Sequence, residues 1–221
     1  TKSLCTGCGT GCNTVIGSRE NKKYRYEPRE NDAVNASWMC DSGRLDYKWI
    51  GRKDRLSELK GAPDWETAIK EIGGKLADTQ PGTVAVVASA RQTNEELYLL
   101  KKLGAKFKAI TDSVPRNGKG DHLLVNADKN PNSNGARLIG LTTKKLGLRL
   151  KRIAKSIESG EITTLIVFGE DVTKHGIPPK LLRKLKLLVV SDILPNATTE
   201  RAHYLLPGCV HAEKRGTFTN V

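Results

Sequence analysis

Thr164-Leu165-Ile166-Val167-Phe168-Gly169 is an unbroken apolar run that ends on a glycine. A half-buried strand would alternate polar and apolar residues. This run does not, and it predicts a strand buried on both faces. Gly169-Glu170-Asp171 turns out of it. Two further runs share the pattern: Thr83-Val84-Ala85-Val86-Val87-Ala88 after Gly82, and Leu187-Leu188-Val189-Val190-Ser191-Asp192. Leu123-Leu124-Val125 is a shorter apolar run. Helical patterns fall between the strands. Asp64, after Gly61-Ala62-Pro63, is placed to cap a helix Trp65–Ala77. Thr93 is placed to cap Glu95–Leu103. Leu148–Ser159 reads as a helix with a Gly160 stop, and Pro178-Pro179 starts Lys180–Lys184. Continuous apolar strands separated by amphipathic helices predict an α/β fold with a parallel sheet covered on both faces. Ligands of such sheets sit at the carboxyl ends of strands, here near Ser89, Gly169 and Asp192. No G-x-G-x-x-G follows the first strand, so the ordinary dinucleotide fingerprint is absent.

A different chemistry precedes this region. Cys5-Thr6-Gly7-Cys8-Gly9-Thr10-Gly11-Cys12 carries three cysteines in the pattern C-x2-C-x3-C, and Cys40 stands alone downstream. Three thiolates on one tight loop plus one from a distant segment can enclose a tetrahedral metal centre. Side-chain-free glycines let backbone N–H groups approach a bulky inorganic core. Four cysteine thiolates are what a [4Fe-4S] cluster needs. A zinc site uses the same residues, although zinc knuckles usually pair two C-x2-C motifs and this chain has one. A disulfide framework fits less well, since five cysteines are sparse and one is left over.

Thr14–Ser18 and Lys23–Glu27, joined by a polar turn, read as a β-hairpin that returns the chain toward the first loop. Trp38 and Met39 flank Cys40 and are expected to keep water from the centre. Tyr47 and Trp49 lie in a short helix ending near Gly51. Cys209 reads as a small structural hydrophobe. Two loops, Pro115–Gly120 and Asn130–Gly135, are rich in glycine and asparagine. Such loops can hold a phosphate or a pterin-like ligand through backbone N–H groups, but their composition favours solvated turns. The expected division is residues 1–60 as a metal-binding subdomain and 61–221 as an α/β domain truncated at its C-terminus. Both ends look cut, as in a portion of a longer polypeptide.

The 221 residues carry a net charge of +13 and are 38% hydrophobic. That is enough for a sizeable core. No apolar run reaches the length of a membrane span, so no direct membrane insertion is expected. Free thiols suit a reducing compartment, which makes the cytoplasm the default. The basic excess permits nucleic-acid binding, but the lysines are scattered and few aromatics interleave with them. The densest basic stretch, Lys144 to Lys155, reads as a helix with leucines and an isoleucine on one face. A basic face docking on acidic partner subunits, or a charge-rich thermophile surface, is the better reading, and no nucleic-acid partner is expected.

The cysteine spacing, the sequel Cys40-Asp41-Ser42-Gly43-Arg44 and the ending Glu213-Lys214-Arg215-Gly216-Thr217-Phe218-Thr219-Asn220 together resemble the molybdopterin oxidoreductase superfamily. Within it the likeness is greatest to the large iron–sulfur subunit of NADH:quinone oxidoreductase, the respiratory NADH dehydrogenase (complex I). The resemblance implies a small β-rich iron–sulfur subdomain followed by Rossmann-like layers. It implies that Cys5, Cys8, Cys12 and Cys40 bind [4Fe-4S] and pass electrons. It implies other subunits of the complex as partners, and a peripheral place on the cytoplasmic side of the inner membrane. In formate dehydrogenases and nitrate reductases of the superfamily a lysine two residues after the fourth cysteine bridges cluster and pterin. Ser42 stands there in this chain. No molybdenum-ligating cysteine or selenocysteine is evident, so a pterin scaffold without its molybdopterin is expected. Two other readings remain open. One is a truncated catalytic chain of a molybdenum or tungsten bis-pterin enzyme such as formate dehydrogenase. The other is a zinc-stabilised basic module that binds nucleic acid.

Overall fold

The computed structural model describes residues 1–219. It is a mixed α/β structure with two sheets. The first is antiparallel, in the order β1 (Lys2–Leu4), β2 (Asn13–Arg19), β3 (Lys22–Pro28). The predicted hairpin is β2–β3, and β1 adds an outer strand that the sequence pattern did not mark. Two short helical pieces follow: α1 (Asp41–Leu45) and a 3-10 turn, Lys48–Gly51.

The second sheet has five parallel strands: β4 (Val84–Ala88), β5 (Ile110–Asp112), β6 (Thr164–Phe168), β7 (Leu187–Asp192) and β8 (Tyr204–Pro207). Their spatial order is β5-β4-β6-β7-β8, all in parallel register. The chain leaves β4 to one side for β5, then crosses to β6 on the other side. The order therefore reverses between β4 and β6, and in doubly wound sheets a crevice opens at that point.

The three predicted strands are buried on both faces, as continuous apolar runs require. Val84, Val86, Ile166 and Val189 face one layer, with α3 (Asn94–Lys106) and α4 (Ser133–Leu138). Ala85, Val87, Leu165 and Val190 face the other, with α5 (Leu150–Glu158) and α6 (Pro179–Leu182). Asp64 caps α2 (Trp65–Ala77), its carboxylate accepting the Thr67 N–H at 2.8 Å. Thr93 and Glu96 close a capping box on α3.

Three expectations are corrected, and three strands, β1, β5 and β8, are added. The run at 123–125 is neither strand nor core, and Leu123 is 81% exposed. The Asp121 carboxylate accepts the N–H groups of Leu123, Leu124 and Val125, winding this run into a turn. The basic stretch is helical only from Leu150. Just before it, the N–H groups of Gly147 and Arg149 bind the Asp112 carboxylate at 3.0 and 2.7 Å, which holds those residues as a loop. The asparagine-rich segment is no solvated turn: Asn130 and Asn132 are buried. Their amides donate to the carbonyls of Val114 and Gln92, so polar side chains substitute for strand pairing inside the molecule. Of the added strands, β5 pairs with β4 and β8 pairs with β7, and β8 includes Leu205, Leu206 and Pro207.

Candidate metal centre

β1 and β2 deliver residues 5–12 as a loop closed at its neck, where the Cys5 N–H donates to the Cys12 carbonyl at 2.8 Å. Two outside contacts hold the loop from the far side. The Gly9 N–H donates to the Asp128 carbonyl at 2.8 Å, and the Thr10 hydroxyl donates to the Leu124 carbonyl at 2.6 Å. Inside it the Gly7 N–H points at Cys5 Sγ, 3.4 Å away. Cys5, Cys8 and Cys12 are all buried.

Cys40 arrives by a separate route, and Asn35 fixes it. The Asn35 Oδ1 accepts the N–H of Asn13, the residue after Cys12, at 2.8 Å. Its amide donates to the Trp38 carbonyl at 3.0 Å, two residues before Cys40. One buried side chain thus spans the two segments that carry the sulfurs. Cys40 then caps α1, its Sγ accepting the Gly43 N–H at 3.4 Å. Sequence reasoning missed Asn35. Its only signal was an asparagine close ahead of the fourth cysteine.

Gly43 shows how closely the sulfurs approach. A methyl group there would lie 3.1 Å from Cys5 Sγ and 3.3 Å from Cys40 Sγ. The first and fourth cysteines therefore border one gap that a side chain at residue 43 would crowd, and they are no further apart than those two distances combined. Burial pushes the Cys5 thiol up to about 12, against the Gly7 N–H, with Cys12, Cys8 and Cys40 adding to the rise. Burial, then Cys8 and Cys40, push the Cys12 thiol up to about 11. Cys5 and Cys12 thus lie close enough to the other cysteines for their charges to count. Among the described residues no group of three or more His, Cys, Asp or Glu side chains is arranged to hold a metal ion. A cube of iron and sulfide is wider than one ion and holds its thiolates further apart. Two cysteines bordering the gap at Gly43, with Cys8 and Cys12 on the same loop as Cys5, are the donor set such a cluster takes.

The apolar cover differs from the expected one. Trp38 is 66% exposed and shields nothing, whereas Met39 is buried. Ile16, Tyr26, Ile50 and Val210 complete the packing around Cys5 and Cys12. Cys209 is exposed, not a buried hydrophobe, because its neighbour Val210 takes the inward position.

Beside the loop, at the ends of β4, β6 and β7, lies a cavity of about 390 Å³ lined by Thr6, Ser89, Arg91, Arg116, Gly169 and Asp192, among others. Ser89, Gly169 and Asp192 are the positions the strand pattern marked. Gly169 has φ 67°, and a methyl group on it would meet Gln92 Nε2 at 2.8 Å, so the crevice needs glycine there. Arg116, from the first glycine-rich loop, forks onto the buried Glu170 at 2.7 and 2.6 Å. Burial pushes the Glu170 carboxyl up, and the Arg116 hydrogen bonds oppose it.

The C-terminal segment straps the two sheets together. Glu213 accepts both guanidinium arms of Arg55 at 2.7 Å, and Lys214 donates to Glu96 at 2.7 Å. The Thr217 N–H donates to Glu95 at 2.9 Å. Asn220, the last residue of the family-like ending, lies outside the described residues. His211 sits within this strap, its Nε2 2.9 Å from the Tyr26 hydroxyl.

Asn35→Ala orphans the Asn13 N–H and the Trp38 carbonyl. It is expected to cost about 1–3 kcal/mol, read as a lower urea midpoint at unchanged slope. Burial, then Lys214 and Arg91, depress His211 to about 4. Its folded value lies below the ordinary 6.5. The unfolded chain therefore takes up a proton first, and stability falls as pH drops from about 6.5 to about 4. His211→Gln is expected to flatten that part of a urea-midpoint pH series.

Comparison with known proteins agrees with this arrangement. The family model for the molybdopterin oxidoreductase Fe4S4 domain matches residues 1–50, and that for molybdopterin oxidoreductase matches residues 105–221. A subunit of the NADH-quinone oxidoreductase of Pseudomonas putida is 36% identical over 107 residues, covering 48% of this chain and 12% of that protein. The alpha subunit of an F420-dependent formate dehydrogenase of Methanococcus maripaludis is 33% identical over 107 residues, covering 45% of this chain and 16% of that protein. The alpha subunit of the NADPH-Fe(3+) oxidoreductase of Geobacter sulfurreducens is 36% identical over 110 residues, covering 47% and 13%. The chain thus spans only a small fraction of the length of these relatives. With its second family model covering more than half of it, this chain belongs to the molybdopterin oxidoreductase family.

Proposed function

We propose that this chain is an electron-transfer domain of the kind found in the large iron–sulfur subunit of NADH:quinone oxidoreductase. It binds one [4Fe-4S] cluster through Cys5, Cys8, Cys12 and Cys40. It works beside other subunits of a respiratory complex, peripheral to the cytoplasmic side of a membrane. The observation that carries this reading is the gap at Gly43 bordered by the sulfurs of Cys5 and Cys40. A bound cluster supplies one-electron exchange. The protein's own part is to hold four thiolates, to aim the Gly7 and Gly43 N–H groups at sulfur, and to exclude water with Met39, Tyr26 and Ile50. Hydrogen bonds to ligand sulfur and burial are the levers by which a protein sets cluster potential. Cys40 is the ligand with the greatest exposure, which gives the centre one partly open side. No helix among the described residues is long and apolar enough to cross a membrane, in keeping with a peripheral place.

The crevice is read as a pterin-type scaffold without its cofactor. Arg116 is committed to Glu170 rather than left free for a ligand. The short Ser42 side chain turns back to within 3.4 Å of Cys40 Sγ instead of reaching across to the crevice. Anaerobic reconstitution with iron and sulfide tests the main reading. About four iron and four sulfide per chain are expected, with an EPR signal on reduction that Cys12→Ala loses. A stable zinc-loaded form with no reducible centre overturns it.

A second reading, a truncated chain of a bis-pterin molybdenum or tungsten enzyme, is favoured by two observations. One is the cavity at the point where strand order reverses. The other is a similar likeness to a formate dehydrogenase subunit. Pterin extraction and metal analysis of the full-length protein separate the two. Stoichiometric molybdopterin supports the second reading, and its absence the first.

A further inference from the structure

The α/β layer turns a strongly basic face to solvent. α5 and α6 lie side by side on one face of the sheet, with Ile153, Ile157, Leu181 and Leu182 in the core beneath. The outer side of α5 carries Lys151, Arg152 and Lys155, all exposed. The outer side of α6 and the turn after it carries Lys180, Arg183, Lys184 and Lys186, also exposed. Lys184 joins the two helices by donating to the Glu158 carbonyl at 3.2 Å.

Some cations of the molecule are neutralised within it. Arg55, Arg116 and Lys214 each close on a carboxylate of this chain. Among the described residues none of the seven cations on this face makes an ion pair. The nearby acidic side chains are few: Glu158 is exposed, and Glu161 accepts the Ser156 hydroxyl at 2.8 Å. Positive charges held within a Debye length repel one another, and a complementary negative surface relieves that cost.

We propose that the α5–α6 face docks an acidic surface of a partner protein. The occupant follows from what the face presents. The apolar stripe of α5 is already buried against the sheet, so it has nothing to insert into a bilayer. Leu148, two residues before α5, is exposed, but one leucine is too little apolar area for an anchor. Neither helix carries an exposed aromatic side chain on which a base could stack. α5 also lies flat on the sheet rather than projecting from it as a groove-reading helix does. What remains is a compact cationic surface of the kind that steers and orients an acidic protein. This inference stands on the α/β layer and is independent of the iron–sulfur reading.

The test compares two triple variants of the whole chain, each checked for unchanged circular dichroism. One is Lys151→Glu with Arg152→Glu and Lys155→Glu. The control is Lys70→Glu with Lys102→Glu and Lys106→Glu, equal in charge but on α2 and α3. The probe is a fluorescent peptide of alternating glutamate and serine, titrated at physiological salt. The α5 variant is expected to bind about tenfold more weakly, and the control within about twofold of the parent. Phosphatidylserine vesicles and a short DNA duplex are titrated in parallel. The proposal is overturned if the parent does not bind the peptide, if both variants lose affinity equally, or if vesicles or duplex bind more tightly than the peptide.

Discussion

Crowding of sulfur is the constraint on which the structure turns. Four thiols are gathered in and beside an apolar corner, two of them made weaker acids than usual, chiefly by burial and in part by neighbouring cysteines. Nothing in hydrophobic packing requires that. As neutral thiols they tolerate this crowding; as thiolates they would repel, and a bound cation would offset that repulsion. The backbone around them reads as the means of holding that unfavourable geometry ready. The neck bond between Cys5 and Cys12 closes the loop, Asn35 spans to the returning segment, and Gly43 keeps the gap open.

The parallel sheet supplies the rigid body against which this corner is set. Its strands are buried from both sides, and its order reverses where the cysteine loop approaches. The strap from His211 to Thr217 packs Ala212 against the corner and reaches the first turn of α3 through charged hydrogen bonds to Glu95 and Glu96. Each such bond is worth more than a neutral one, and several act in parallel.

Much of this was legible in the residues. The apolar runs at 84–88, 164–168 and 187–192 marked their strands because full burial removes alternation. Asp64 and Thr93 marked helix starts because their side chains satisfy backbone N–H groups that nothing else reaches. The Fe4S4-type family match over residues 1–50 agrees with the cluster chemistry read from the cysteine spacing. What escaped was set by contacts distant in sequence. Asp112 withholds residues 147–149 from α5, and Asp121 winds an apolar run into a turn. Trp38 reads as cover from its position beside Cys40, yet the chain direction fixed by Asn35 leaves it outside. β5 and β8 are too short to carry a pattern and exist because a longer strand lies alongside each.

The supports of Gly9 and Thr10 carry a last implication. The loop that holds three sulfurs rests on the carbonyls of residues 128 and 124, and the same stretch of chain runs back through Asn130 to Arg116 and the crevice floor. The two cavities of chemistry therefore share a hinge of backbone. A change in the length of residues 121–130 that reshaped the crevice would therefore move the supports of the sulfur loop with it.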